Sequence, residues 1–313
     1  TIIENCLFGV DINPNSVKIC RLRLWIELLK NAYYKSENEL ETLPNIDINI
    51  KCGNSLVSRF ALDADLKQAL RQGKWTIDAY RNAVDAYRNA TDKEHKREMM
   101  RMIDEIKNNF QTEISANDPK AKRLISLQSD LFELTQSSLF ELPAKEKAAW
   151  QKKVDKLTAE TRKLADEIED IKGNKIYTNA FEWRFEFPEV LDDDGNFLGF
   201  DVVIGNPPYG VSIPNNEKQF IKYNSIIRDL SWNSAFVFIG LAHSVLKKEG
   251  DFSFIVPKGI AYVPNVENVR KFLCESVNTD ILIDTSEVFN QSGVQLETVI
   301  IVFKKTQRFK KTV

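Results

Sequence analysis

Apolar residues fall into two regimes along this chain. In the outer portions, short runs of β-branched and aromatic residues alternate with helix-length amphipathic segments. Leu7 to Val10 form an apolar run that stops at Asp11, and Asn13-Pro14-Asn15 then has the form of a helix start. Val17, Ile19, Cys20, Leu22, Leu24, Trp25, Leu28 and Leu29 give that helix a wide apolar face. Ile46 to Ile50 alternate with polar residues and predict a second strand, followed by Cys52-Gly53-Asn54-Ser55-Leu56. Val202 to Ile204 predict a buried central strand. After a loop over 211–224 come a helix (234–248), a strand (252–256), a helix (266–276), a strand (280–283) and a last strand (297–304). This alternation predicts an α/β fold with a mostly parallel sheet and helices on both faces.

Between Leu62 and Gly173 the second regime holds. The segment is rich in Lys, Glu, Asp, Ala and Gln and poor in strand formers. Leu66 and Leu70, Tyr80, Val84 and Tyr87, and Met99, Met102, Ile103 and Ile106 recur at helical spacing. Leu157, Leu164, Ile168 and Ile171 form a near-heptad series, and Asp118-Pro119 and Leu142-Pro143 have the form of helix starts. We expect a helical insertion of antiparallel hairpins that projects from the sheet, dividing the chain into 1–61, 62–173 and 174–313. Past the insertion, Phe181, Trp183, Phe185 and Phe187 alternate. Phe187-Pro188-Glu189-Val190 and the acidic turn Asp192-Asp193-Asp194-Gly195 then lead into the strand at 202–204.

That strand stops abruptly at Gly205-Asn206-Pro207-Pro208-Tyr209-Gly210. The end of a strand is where open α/β sheets place their ligands. The two prolines fix φ and remove two backbone donors while their carbonyls remain as acceptors. With the Asn206 side-chain oxygen and the flat face of Tyr209, the turn offers two acceptors and a stacking platform, which suits a planar group bearing an NH2. The plainer reading is an ordinary Pro-Pro turn. Asp11 also closes a strand; a carboxylate there can take both vicinal hydroxyls of a ribose, or merely cap the following helix. Asn54 can read an adenine edge, or serve as a turn residue beside Gly53.

Composition narrows the chemistry. The 313 residues carry a formal charge of −2, so a DNA-binding face would have to be a local patch. Basic residues are plentiful in the insertion (Lys93, Lys96, Arg97, Arg101, Lys120, Lys122, Arg123, Lys152, Lys153), but acidic ones nearly match them. It is therefore either a DNA clamp, a contact surface for other domains, or a spacer. Cys6, Cys20, Cys52 and Cys274 lack C-x-x-C spacing, so neither zinc nor any other metal is expected. Scattered cysteines, no signal peptide and no bilayer-length apolar run lead us to expect a cytoplasmic protein without membrane association. His95 reads as solvated and His243 as a half-buried helix residue rather than a general base. Glu94-His95-Lys96 and Glu105-Ile106-Lys107 carry the letters of nuclease sites but lie in helical sequence, so no nuclease is expected here.

Taken in order, these pieces resemble the gamma-class DNA N6-adenine methyltransferases, in particular the kind fused into type IIG restriction-modification enzymes. Leu7 to Pro14, with Leu22-Arg23-Leu24-Trp25, resembles the family's second motif. Cys52 to Leu56 resembles the third, with Asn54 where an Asp is usual. Phe181-x-Trp183 and Phe187-Pro188-Glu189-Val190 resemble the lead-in to the Asn-Pro-Pro-Tyr motif, Asn233-Ser234-Ala235-Phe236 the fifth motif, and Phe254 to Lys258 and Thr298 to Phe303 the later core strands. The resemblance covers roughly 1–56 and 176–305. It implies a Rossmann-like, S-adenosyl-L-methionine-dependent methyltransferase fold with a large inserted helical subdomain, and double-stranded DNA as the partner.

The resemblance also implies the roles of residues. Asn206, Pro207, Pro208 and Tyr209 would be catalytic. Asp11, Ile12, Asn54 and Ser55 would bind the cofactor. Tyr209, with Tyr262, would hold a flipped-out adenine. The glycine-rich first motif and the target recognition domain are expected outside this chain, as is an N-terminal domain for which a nuclease is the obvious companion activity. Weak or no cofactor binding by the chain alone follows as an expectation. Two alternatives stay open: a glutamine or RNA-amine methyltransferase using the same turn, and a non-catalytic DNA-binding or interaction fragment.

Overall fold

A computed structural model describes residues 2–30, 32, 34–36, 39–40, 43–64, 66–72, 74–117, 119–136, 144–173, 175–224, 234–285 and 297–306. The chain runs α1 (Ile2–Asn5), β1 (Gly9–Asp11), α2 (Pro14–Lys30), β2 (Tyr34–Ser36), β3 (Glu39–Leu40) and β4 (Ile50–Cys52). Then come α3 (Lys67–Gln72), α4 (Ile77–Arg88), α5 (Lys93–Asn117), α6 (Pro119–Gln136), α7 (Ala144–Gly173) and α8 (Trp183–Glu186). The last portion holds β5 (Phe200–Gly205), α9 (Asn215–Asn224), α10 (Ser234–Val245), β6 (Leu246–Pro257), α11 (Glu267–Glu275), β7 (Asn278–Asp284) and β8 (Thr298–Lys304). The expected helix start at Leu142-Pro143 lies outside the described residues, as do Asp118 and Asn233.

Four strands form one sheet in the order β5-β6-β8-β7. β5 and β6 pair in parallel, and β8 runs antiparallel to both β6 and β7. Three strands therefore point one way and β8 alone is reversed, which makes this an α/β sheet of mixed direction. α10 and α11 supply Ala235, Phe236, Ile239, Val269 and Phe272 to a core shared with Phe252, Phe254, Val256, Ile301 and Phe303 of β6 and β8. β1 and β4 pair in parallel as a separate two-stranded sheet. Aromatic edges bridge the two sheets: Phe8 lies 5.0 Å from Phe187 and 6.0 Å from Phe200, centroid to centroid.

The strand read as central and buried is neither. β5 is at the edge of its sheet, and Val202 and Ile204 are 59% and 80% exposed. Only Val203, on the other face, packs against the α10–β6 core. An apolar run signals two covered faces only if both faces are covered, and here one is open. The wide apolar face of α2 behaves likewise: Val17 and Leu28 are buried, whereas Ile19, Leu22, Trp25, Ile26 and Leu29 stand exposed. Val202→Lys and Ile204→Lys are therefore expected to change the stability of this chain by no more than ~0.5 kcal/mol, the ordinary surface range. A loss of several kcal/mol in urea titrations would mean that the open face is covered.

Two local readings shift. Ile46 to Ile48 form a 3₁₀ turn and the strand starts only at Ile50. The Asn49 amide donates to the Glu4 carbonyl at 2.6 Å, and Arg21 donates to the Asp47 carbonyl at 2.9 Å, so side chains occupy the backbone acceptors a longer ladder would need. The helix read as 234–248 stops at Val245. Glu249, in the left-handed region at φ 65°, donates its N–H to Lys305 and draws the segment into β6.

The insertion does not stand apart as a whole. Tyr80, Val84 and Tyr87 of α4 and Ile103, Ile106 and Phe110 of α5 share a core with Ile48, Phe185 and Leu191. α6 and α7 pack on each other as an antiparallel hairpin, with Arg123 paired to Glu160 at 3.0 Å and the Trp150 indole donating to Leu134 at 3.1 Å.

His243 sits half-buried on α10, edge-on to Phe272 at 5.1 Å. Burial first, and the Lys305 charge second, push its pKa down to about 4. The folded value lies below the unfolded one, so as pH falls the unfolded chain takes the proton first. Stability linked to His243 is complete above about pH 6.5 and is lost between there and about pH 4. Urea midpoints measured across that window should fall more steeply for the native chain than for His243→Leu; parallel slopes would refute the linkage.

Candidate active site

β5 delivers the Gly205–Gly210 turn to its C-terminal end, beside the end of β6. Gly205 permits this approach, because a Cβ there would lie 2.8 Å from the Phe254 ring. Pro207 is buried and anchors the turn, while Asn206 and Pro208 are exposed. The Ser234 hydroxyl at the start of α10 donates to the Pro208 carbonyl at 2.6 Å, satisfying one of the acceptors that the prolines leave open.

Tyr209 packs against the α10–β6 core, and burial raises its phenol pKa. Its hydroxyl lies 2.8 Å from Asn206 Oδ1 and 3.0 Å from the Ile255 carbonyl. A phenol has one hydrogen to donate, so these acceptors compete for it. When the proton points to Asn206 it fixes the carboxamide; when it points to Ile255, Oδ1 keeps both lone pairs.

Asp11 is exposed at the end of β1, and its Oδ1 accepts from the Asn13 N–H at 2.6 Å. That bond holds the turn ahead of α2, whose first turn is capped by Asn13, with its Oδ1 accepting from the Asn15 N–H at 2.9 Å. Ile12 beside it is 63% exposed. Asn54 is buried, and its Oδ1 accepts from the Leu56 N–H at 3.1 Å, the geometry of a side-chain turn. The Ser55 carbonyl accepts from the Trp183 indole at 3.0 Å. Tyr262 is 64% exposed and closes a 3₁₀ turn by donating its N–H to Gly259.

The structure thus brings Asn206, Pro207, Pro208 and Tyr209 together at one strand end, and Asp11, Ile12, Asn54 and Ser55 at the ends of the other parallel pair. Sequence reasoning passed over Ile255 and Ser234 as partners of the turn. Ser234 stood beside the turn's own α10 in the fifth-motif resemblance, but Ile255 acts through a main-chain carbonyl and left no sequence signal. The Phe181-x-Trp183 pair turns out to pin the Asn54–Ser55 turn: the Phe181 N–H donates to the Asn54 carbonyl at 3.1 Å. Among the described residues no group of three or more His, Cys, Asp or Glu gathers to hold a metal, and the four cysteines are exposed.

Residues 5–289 match the family described as Eco57I restriction-modification methylase. The chain is 30% identical over 328 aligned positions to a Methanocaldococcus jannaschii protein assigned as a type II restriction enzyme and methyltransferase. That alignment takes in 97% of this chain but 26% of the relative, so the chain spans about a quarter of that protein's length. Among solved structures, it aligns with a Listeria monocytogenes protein assigned as a class I S-adenosylmethionine-dependent methyltransferase (16% identity, 82% of this chain, 90% of that one, TM-score 0.31). It also aligns with the type IIG restriction endonuclease BpuSI (14% identity, 48% of this chain, 22% of that one, TM-score 0.30).

Proposed function

Because this chain belongs to the Eco57I restriction-modification methylase family, we propose that it is the catalytic portion of an S-adenosyl-L-methionine-dependent DNA methyltransferase that acts on the N6 amino group of adenine. The observation that carries this reading is the turn at the end of β5, where the Asn206 carboxamide and the Tyr209 ring are held together by a hydrogen bond. On this reading 1–61 and 174–313 form a Rossmann-like methyltransferase core, with 62–173 inserted.

The cofactor, when bound, supplies an electrophilic methyl group. The described residues fit its adenosine half: Asp11 presents an exposed carboxylate to the ribose hydroxyls, and Ile12 offers an open apolar side chain beside the base. Asn54 Oδ1 already accepts from the Leu56 N–H, which leaves a second lone pair and the amide N–H groups for the base, and Ser55 supports that turn through its contact with Trp183. A duplex adenine must be flipped out to expose its amino group. Tyr209 would then stack on the base, with Tyr262 on the rim. Asn206 Oδ1 and the Pro207 carbonyl accept the two amino hydrogens, which localises the nitrogen lone pair toward the methyl group. Pro208 holds the turn's shape through Ser234. Displacement then depends on positioning and electrostatics, with no strong general base.

Two variants separate stacking from hydrogen bonding. In the enzyme that carries this chain, Tyr209→Ala should weaken productive adenine binding by roughly 1–3 kcal/mol, the worth of one base–aromatic stack. Tyr209→Phe keeps the ring and should lose far less. Mass spectrometry of nucleosides after incubation with DNA and cofactor would score N6-methyladenine. Equal losses in the two variants would remove the stacking role, and methylation of cytosine instead of adenine would overturn the base assignment.

A further inference from the structure

A second site lies at the other end of the sheet and stands independently of the reading above. Phe200 and Leu246 are register partners at the start of β5 and β6, whereas Asn206 follows the end of β5. Six strand residues separate the two ends, about 20 Å at ~3.3 Å each. Beside the Phe200–Leu246 end is a cleft of about 600 Å³, framed by the segment leading into α3, the residues before β5, the α10–β6 junction and the residue after β8.

Its charge is one-sided. Among the described residues Lys67, Arg184, Lys248 and Lys305 line it, with Asp63 as the one carboxylate. Lys67 is 3.8 Å from Asp194, and both are exposed, so that pair is loose and screened. The Lys305 ammonium is half-buried and donates to the Leu246 carbonyl at 2.6 Å, a neutral acceptor that leaves its charge uncompensated. Burial alone lowers its pKa, and its charge in turn helps to lower that of His243. The Arg184 guanidinium is buried and donates to the Ala64 carbonyl at 2.8 Å, so its position is fixed by the backbone. Phe197 and Leu198 add an apolar wall.

We infer that this cleft binds a phosphate-bearing ligand of nucleotide size. The volume lies in the range of small-ligand sites, which run from about 300 to 1,000 Å³. Two exposed lysines and two partly or fully buried cations converge on it, the arrangement that charge-assisted hydrogen bonds to phosphate oxygens need. The apolar wall offers a surface for a base or sugar.

The probe is adenosine 5′-diphosphate, titrated calorimetrically into the chain at low salt. Lys67 and Lys248 are exposed, so Lys67→Glu/Lys248→Glu should keep the fold, which its thermal midpoint checks; the milder Gln pair should act in the same direction. Binding to the native chain should be saturable, weaken with salt, and fall at least ~10-fold in the Glu pair, equivalent to about 1.4 kcal/mol. A short DNA duplex that displaces the nucleotide from the native chain would make the DNA backbone the source of the phosphate at the same site. Absence of saturable binding, or equal affinity in the Glu pair, overturns the inference. So does binding that survives the Glu pair and is lost in Asp11→Ala, which would place the nucleotide at the ends of β1 and β4.

Discussion

Replacing Asn206 with alanine in the enzyme that carries this chain is expected to lower DNA methylation at least ~100-fold, the cost of removing one preorganised polar contact to a reacting group. Asn206 is exposed, and its side-chain contact is to the Tyr209 hydroxyl, which keeps Ile255 as an alternative acceptor at 3.0 Å. Folding should therefore survive the substitution. The loss should fall on the chemical step, because the interaction proposed for Oδ1 strengthens as the amino nitrogen gives up electron density. Asn206→Asp is the sharper comparison. It keeps an acceptor of the same shape, replaces the amide donor and adds a negative charge. Single-turnover rates with saturating cofactor would read both variants. A wild-type-like rate in Asn206→Ala would sink the catalytic assignment and favour a binding fragment.

The turn was legible because its information is local. Apolar residues followed by Asn-Pro-Pro-Tyr specify a strand, a stop and a pair of polar groups within a few positions, and the prolines fix the geometry. Asp11 before Asn13-Pro14 was legible for the same reason: Pro14 opens α2, Asn13 caps it and Asp11 holds the Asn13 N–H. What failed depended on distant parts of the chain. Val202 and Ile204 look like a buried strand in any local window, and only the arrangement of neighbouring elements leaves their face open. β8, inserted antiparallel between β6 and β7, follows from tertiary pairing that alternation does not encode. Phe181, Trp183, Phe185 and Phe187 alternate as a strand would. Yet Trp183 to Glu186 form a turn of helix, because the aromatic rings pack on one another and on Phe200 rather than on a sheet.

The largest stability effect also comes from a contact that no local window shows. Glu186 sits between two lysines, with Lys51 at 2.9 Å and Lys107 at 2.6 Å, and all three side chains are largely buried. Burial acts to raise the Glu186 pKa, but the two lysines outweigh it and hold the carboxyl below its ordinary value. Lys51 is itself lowered, by burial first and with Lys107 adding to the effect, because one carboxylate must serve two cations. Lys51 belongs to β4, just before the Asn54 turn, and Lys107 belongs to α5. Glu186 therefore fastens the insertion to the strand that leads to the proposed cofactor site.

Glu186→Gln leaves two buried ammonium groups facing each other and should cost roughly 3–5 kcal/mol, the range for breaking a buried ion pair. Replacing all three with Met should recover most of that, since the penalty lies in uncompensated charge rather than in lost packing. In the native chain the stabilisation is complete above the unfolded carboxyl pKa and is lost as pH falls through the lowered folded value. If urea unfolding gave Glu186→Gln a loss under ~1 kcal/mol, the three charges would have to be far better solvated than their burial implies, and the insertion would be held by its shared apolar core and by other pairs such as Arg88–Glu189 at 2.7 Å.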